Sequence, residues 1–137
     1  MKYLLVLFTV WLSFLLAIDF FETPIRFSTK NLSTGQAVSI GRILFHKLLR
    51  LEFIFLVLGL FNAWRLRVPS ILLILVVYGT LLVFQNFYLF PILDLRAEKL
   101  LANENLSPSW QHTLYVVLEI IKCSFLLGLI TFSLKKL

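Results

Sequence analysis

Four long apolar stretches, separated by short polar segments, make up most of this 137-residue chain. Each stretch has the roughly 20 mostly apolar residues that a helix needs to cross a bilayer. The polar segments between them are too short to form a separate soluble domain. The pattern predicts an all-α protein, a four-transmembrane-helix bundle that forms one integral membrane domain over residues 1–137. We expect the spans at residues 3–21, 45–64, 69–93 and 112–134.

Prolines predict where the first and third helices end and how the second and third are connected. Pro24 disfavours helix at the preceding residue, so the first helix should stop near Glu22 or Thr23. Pro91 should kink or stop the third helix near its far end. The link between the second and third stretches is only a few residues long, and Pro69 suits the first turn of the helix that follows. A link this short makes the second and third helices antiparallel neighbours.

Two patterns predict helix starts. Ser33 and Gln36 have the spacing of a capping box, in which each side chain accepts a backbone N–H bond from the other residue. A helix that runs from there to Trp64 is about 45 Å long. It exceeds the ~30 Å hydrocarbon core, so its first turns should project from the membrane or lie in the interface. Ser107 and Pro108 predict the start of the fourth helix, with the serine as its N-cap.

The composition agrees with a membrane protein and narrows the choice of partners. Sixty per cent of the residues are hydrophobic and only 15% are charged, which is not typical of a soluble domain. The net charge is +6, but the basic residues mostly flank apolar stretches. The lipid bilayer is therefore the expected partner, and nucleic acid is not. Another membrane protein or a second copy of the chain is the further kind of partner that we consider.

Basic residues near the ends of the spans predict the orientation. With four spans, both chain termini lie on one side of the membrane. The two sides carry nearly equal numbers of lysine and arginine residues, but on the terminal side these lie directly at helix ends. The positive-inside rule then favours cytoplasmic termini. The basic residues on that side are Lys2, Arg65, Arg67, Lys135 and Lys136.

Ionisable side chains inside the apolar stretches are the most informative feature for function. A charge near the bilayer centre costs roughly 2.5–3.5 kcal/mol, so these groups should face each other or a wet cavity. With Trp64 and Trp110 at opposite membrane faces and a rise of about 1.5 Å per residue, three of the groups fall near the midplane. These are Glu52, Glu119 and Lys122, and the other two are Asp19 and Arg50.

Polar residues also form stripes on two of the helices. On the fourth helix, His112, Tyr115, Glu119 and Lys122 fall within an arc of roughly 80°, and the last two can pair directly. On the second, Arg42, His46 and Arg50 recur every four residues, whereas Glu52 points some 120° away from His46. All four helices place polar groups in the half of the bundle away from the termini. The predicted polar cluster comprises Asp19, Glu22, Arg42, His46, Arg50, Glu52, Asn86, Asp94, Arg96, His112, Tyr115, Glu119 and Lys122.

Three interpretations of this cluster stay open. The first is a structural or accessory membrane protein, in which ion pairs and hydrogen bonds fix the helix register. The second is a small carrier or ion-coupled permease with an outward-facing pocket. The third is a metal or haem binder that uses His46 and His112, although neighbouring Lys and Arg would repel a cation. No catalytic motif is present, so we expect neither enzymatic activity nor a cofactor.

Short motifs add a resemblance to this picture. They are Phe21-Glu22-x-Pro24, Gly41-Arg42 with Glu52 downstream, Pro91-x-Leu93-Asp94-x-Arg96, and His112-x-x-Tyr115 with Glu119 and Lys122. In these motifs, over nearly its whole length, the chain resembles a family of small four-helix bacterial integral membrane proteins known only as a domain of unknown function. The resemblance implies a bundle fold in the bacterial inner membrane and implies no activity. The chain is also similar to copper-resistance-type membrane domains, but Met1 is its only methionine.

Overall fold

The structure is a computed structural model that describes residues 1–107 and 109–137. This part of the chain is all-helical, with no β-strand, and forms four long helices. We label these α1 (Lys2–Ser28), α2 (Thr34–Arg65), α3 (Pro69–Leu101) and α4 (Trp110–Lys135). The all-α class predicted from the apolar pattern is confirmed.

Two of the helices contain a stretch with the wider π-helical turn. In α1, α-helix over Lys2–Leu15 is followed by π-helix over Leu16–Glu22 and by α-helix over Thr23–Ser28. In α3, Pro69–Phe84 is followed by π-helix over Gln85–Leu89 and by α-helix over Phe90–Leu101. Such turns are rare and occur mostly within α-helices, often at functional sites.

These π-helical stretches explain why neither Pro24 nor Pro91 ends its helix. Pro24 and Pro91 each lie in the first turn of the α-helical segment that follows a π-helical stretch. The prediction that α1 stops near Glu22 or Thr23 is therefore wrong, since helix continues to Ser28. Pro91 does not stop α3 either. The physical reason is that a proline in an unbroken α-helix clashes with the carbonyl four residues back, and the changed register of the π-helical turn alters that spacing.

One predicted helix start is confirmed and another is corrected. Ser33 Oγ accepts the Gln36 N–H at 3.2 Å, and Gln36 Oε1 accepts the Ser33 N–H at 2.9 Å, which completes the capping box of α2. The N-cap of α4 is Ser109, whose Oγ accepts the His112 N–H at 3.1 Å, and not Ser107. Pro108, predicted in the first turn, lies outside the described residues.

The core lies along the centre of the bundle, where α1 packs against both α2 and α4, and α2 packs against α3. Glycines allow the close approach of α2 and α3. A Cβ at Gly59 would lie 3.2 Å from Leu75, and one at Gly79 would lie 3.1 Å from Leu56. The predicted antiparallel pairing of α2 and α3 follows from the short connection between Arg65 and Pro69.

Three of the four helices, α1, α3 and α4, are long and apolar enough to cross a membrane. Their outward faces carry large exposed apolar side chains, for example Val6, Leu73 and Phe87, which suits contact with acyl chains. Helix α2 also exposes Ile54 and Val57. It carries Lys47, Arg50 and Glu52 within residues 45–64, the span predicted from the sequence.

Candidate functional site: a buried ion centre and an outer pocket

A buried lysine on α4 joins two buried carboxylates. The Lys122 Nζ lies 2.8 Å from Glu52 Oε2 on α2 and 2.8 Å from Glu119 Oε1 on its own helix. The exposed fractions of the three residues are only 1–2%. The structure thus brings together the three charges that the depth comparison placed near the midplane. We call Glu52, Glu119 and Lys122 the ion centre.

The remaining two helices donate hydrogen bonds to the ion centre. From α1, Trp11 Nε1 donates to Glu52 Oε1 at 3.4 Å. From α3, Tyr78 donates to Glu52 Oε1 at 2.7 Å, and Gln85 Nε2 donates to Glu119 Oε1 at 2.8 Å. All four helices therefore meet at the ion centre. These three donors lie outside the predicted cluster, because an uncharged polar side chain in an apolar helix carries little sign that it faces a charge.

The polar network extends from the ion centre towards the half of the bundle that lies away from the chain termini, which we call the outer half. The Tyr115 hydroxyl donates to Asp19 Oδ1 at 2.8 Å, and the Asp19 carboxyl lies beside Glu119. Tyr115 also packs its ring against Phe45 and Phe90. Asp19 is thus a third carboxyl group next to the ion centre, and Tyr115, which bonds to it, forms the outer end of this network.

A second group of charges links α2 to α3 at the bundle surface. Arg42 donates to Asp94 Oδ1 and to Glu98 Oε1, both at 2.9 Å. His46 Nε2 lies 2.8 Å from Asp94 Oδ2. The hydrogen bond to Glu98 raises the pKa of the Arg42 guanidinium, with a further contribution from the charge of Asp94. Pairs this exposed contribute little to stability, typically about 0–1 kcal/mol each.

Several residues of the predicted cluster do not join either group. Arg50 is exposed and pairs with no described carboxylate, since the stripe that begins at Arg42 has rotated by about 80° after eight residues. Its predicted place in the cluster is wrong. Asn86 is half-buried, without a side-chain hydrogen bond in the described part of the chain, whereas its neighbour Gln85 points inward. Arg96 donates to the Ser107 carbonyl.

The arrangement of the histidines gives no support to a metal centre. His46 bonds to Asp94 and packs its ring 5.0 Å from that of Phe90. His112 is exposed in the first turn of α4. Within residues 1–107 and 109–137, no group of three or more His, Cys, Asp or Glu side chains is arranged to hold a metal ion.

A cavity of about 560 Å³ opens beside the outer part of the bundle, which we call the outer pocket. Segments of all four helices line it, together with Leu106 and Ser107 before α4. Its wall includes Arg26 at the end of α1 and the ring of Tyr115. Tyr115 therefore lies between the outer pocket and the network that leads to the ion centre.

Arg26 is a functional candidate that sequence reasoning missed. It is only 4% exposed, and its guanidinium lies over Gly41 of α2, where a Cβ would overlap it. The Phe27 and Phe45 rings flank it at 5.3 and 5.6 Å from Cζ to centroid. The predicted site residue Glu22 lies 3.5 Å from its Nε. The one available signal was Gly41 itself, a glycine within a helix.

Comparison of the chain with protein-family models, with curated proteins and with solved structures gave no match.

Proposed function

We propose that the protein is a non-enzymatic, four-span integral membrane protein of the bacterial inner membrane, with cytoplasmic termini and a structural or accessory role. The observation that carries this proposal is the contact of Lys122 with Glu52 and Glu119, at a point reached by polar side chains from every helix. In lipid, such a network favours one packing arrangement, because any other would leave buried charges unpaired. The motif resemblance implies the same bundle fold and the same membrane.

The ion centre also explains how α2 can be the fourth span despite its charges. Glu52 faces Lys122 inside the bundle, so its charge is not presented to lipid. The exposed basic side chains Lys47 and Arg50 are long enough to extend towards the interface. Helix α2 also packs between α1 and α3, both of which are apolar enough to cross a membrane. A helix that packs between two membrane-spanning helices would span the bilayer with them.

Labelling of single cysteines in sealed vesicles tests the four-span topology. In a Cys123→Ser background, we would introduce Lys30→Cys before α2 and Arg67→Cys after it. A membrane-impermeant maleimide should reach the two positions from opposite sides, and Lys136→Cys should behave like Arg67→Cys. Labelling of Lys30→Cys and Arg67→Cys from the same side would overturn the four-span proposal.

The second candidate function is a small proton-coupled carrier. The observation that favours it is the position of Tyr115, which lines the outer pocket and also donates to Asp19 beside Glu119. Carboxyl groups connected to a cavity in this way can couple proton uptake to ligand binding. Proteoliposomes that contain a pH-sensitive dye test this function. Proton movement that Glu119→Gln abolishes, while the protein stays folded, would support the carrier. No movement above that of empty liposomes would count against it.

A further inference from the structure

The outer pocket combines a buried cation with an apolar wall. Its volume of about 560 Å³ falls within the ~300–1,000 Å³ range of ligand sites in proteins. Arg26, Arg42 and Arg96 contribute positive charge, and Asp94 is the single carboxylate among the described residues that line it. The rest of the lining is largely apolar and includes Phe45, Phe90, Leu93, Ala97, Leu100 and Leu106.

The polar groups of Arg26 are incompletely satisfied. Its Nη2 donates to Thr23 Oγ1 at 3.4 Å, whereas Nε and Nη1 have no acceptor among the described residues. The Nε–Glu22 separation of 3.5 Å is longer than the ~2.7–2.9 Å of a strong charge-assisted hydrogen bond. A buried guanidinium with free N–H groups is unfavourable unless an acceptor enters the site.

The neighbouring charges indicate the kind of acceptor. Asp94 already accepts bonds from Arg42 and lies next to His46, so it does not serve Arg26. Glu22 is the remaining carboxylate that we find beside Arg26. The lining is net positive, which favours an oxyanion. Because the wall beyond the guanidinium is apolar, the ligand needs an apolar part as well as an anionic head.

We propose that the outer pocket binds a single-chain anionic amphiphile, with its carboxylate or phosphate head on Arg26 and its acyl chain along the apolar wall. The position of the pocket suits this ligand, because the segments that line it lie at the ends of apolar helices, where lipid headgroups would lie. This proposal goes beyond the structural role and does not depend on it. The topology experiment and the binding experiment can therefore fail separately.

Binding of dodecyl phosphate to the full chain in nanodiscs of phosphatidylcholine tests the proposal, with empty nanodiscs as background. Native mass spectrometry would count the bound molecules and give the affinity. We expect one molecule per chain. Arg26→Gln should weaken binding at least about tenfold, the effect of losing a hydrogen bond to a charged group. Arg50→Gln is the matched control, since it removes the same charge from an exposed position, and should change the affinity by less than about twofold.

Competition identifies the part of the ligand that is recognised. Neither inorganic phosphate nor dodecanol at the same concentration should displace dodecyl phosphate. Displacement by inorganic phosphate would show a site for small anions. Binding of dodecanol as tight as that of dodecyl phosphate would show that the chain alone is recognised, by apolar contact. Equal weakening by Arg26→Gln and Arg50→Gln would show attraction by net charge alone. Each of these results would overturn the proposal.

A second variant keeps the test decisive if Arg26→Gln fails to fold. Ala97 lines the apolar wall and is half-buried, so Ala97→Phe fills that part of the pocket without altering the guanidinium. We expect at least about tenfold weaker binding of dodecyl phosphate, because a filled cavity excludes the chain. An unchanged affinity in a folded Ala97→Phe protein would refute the proposed site.

Discussion

Lys122 and Arg26 are both buried cations, yet their surroundings differ. The Lys122 ammonium has three N–H donors and meets three carboxylate oxygens, two on Glu52 and one on Glu119, all within 3.1 Å. Arg26 has five N–H donors, but in the described part of the chain its nearest carboxylate contact is at 3.5 Å and two of its nitrogens have no acceptor. Because Lys122 is fully paired within the protein, its contacts indicate a role in helix packing. Because Arg26 is only partly paired, its free donors indicate a role in ligand binding.

Replacing Lys122 should have the largest effect. Lys122→Met leaves Glu52 and Glu119 buried without their shared cation, and breaking a buried ion pair from one side costs about 3–5 kcal/mol. The free energy of unfolding in mixed micelles, followed by far-UV circular dichroism, measures the loss. Lys47→Met is the matched control, because Lys47 is exposed. A loss below about 1 kcal/mol would show that the ion centre does not hold the helices together.

Removing one hydrogen bond from the ion centre should have an intermediate effect. Tyr78→Phe deletes the hydroxyl that donates to Glu52 at 2.7 Å and keeps the ring. Because the acceptor is a charged group, we expect a loss of about 1.5–3 kcal/mol in the same unfolding measurement. Tyr88→Phe is the control, since Tyr88 is exposed and its ring stacks on Phe84. Equal effects of the two variants would contradict a specific contribution from the Tyr78–Glu52 bond.

Replacing Arg26 should have the smallest effect on stability. Arg26→Met removes donors that are buried without acceptors and keeps an apolar side chain between Phe27 and Phe45. We expect a change of less than about 1 kcal/mol, since the loss of two cation–π contacts is offset by the removal of an unsatisfied charge. A loss of unfolding free energy as large as that caused by Lys122→Met would show that Arg26, like Lys122, holds the helices together.

The sequence was sufficient to predict the features that depend on local pattern. The capping box at Ser33 follows from spacing, and the convergence of Glu52, Glu119 and Lys122 follows from depth along straight helices. The all-α class follows from the apolar stretches. For the three charges, a rise of about 1.5 Å and a rotation of about 100° per residue are enough.

The features that were missed depend on contacts between segments far apart in the chain. Arg26 was assigned to a connection after Pro24, because the proline was expected to end α1. Its burial depends on continuation of the helix through the π-helical stretch and on the open space above Gly41. Arg50 was placed in a stripe whose rotation had already turned it outward. The contact of Arg26 with Gly41 leaves no pattern that can be read along one helix, whereas the rotation of Arg50 follows from the helical period and should have excluded it from the stripe.

The π-helical stretches have a consequence for how the outer half of the bundle could change by mutation. A π-helical turn is equivalent to one extra residue in the helix, so everything beyond it is rotated by about 100° relative to an uninterrupted α-helix. In α1, this rotation precedes Arg26, and in α3 it precedes Asp94. Deleting one residue from Leu16–Glu22 would restore a regular ladder of backbone bonds and would turn the guanidinium away from Gly41. A single-codon deletion could thereby remodel the outer pocket, whereas Trp11, which precedes this stretch, would keep its bond to Glu52 in the ion centre.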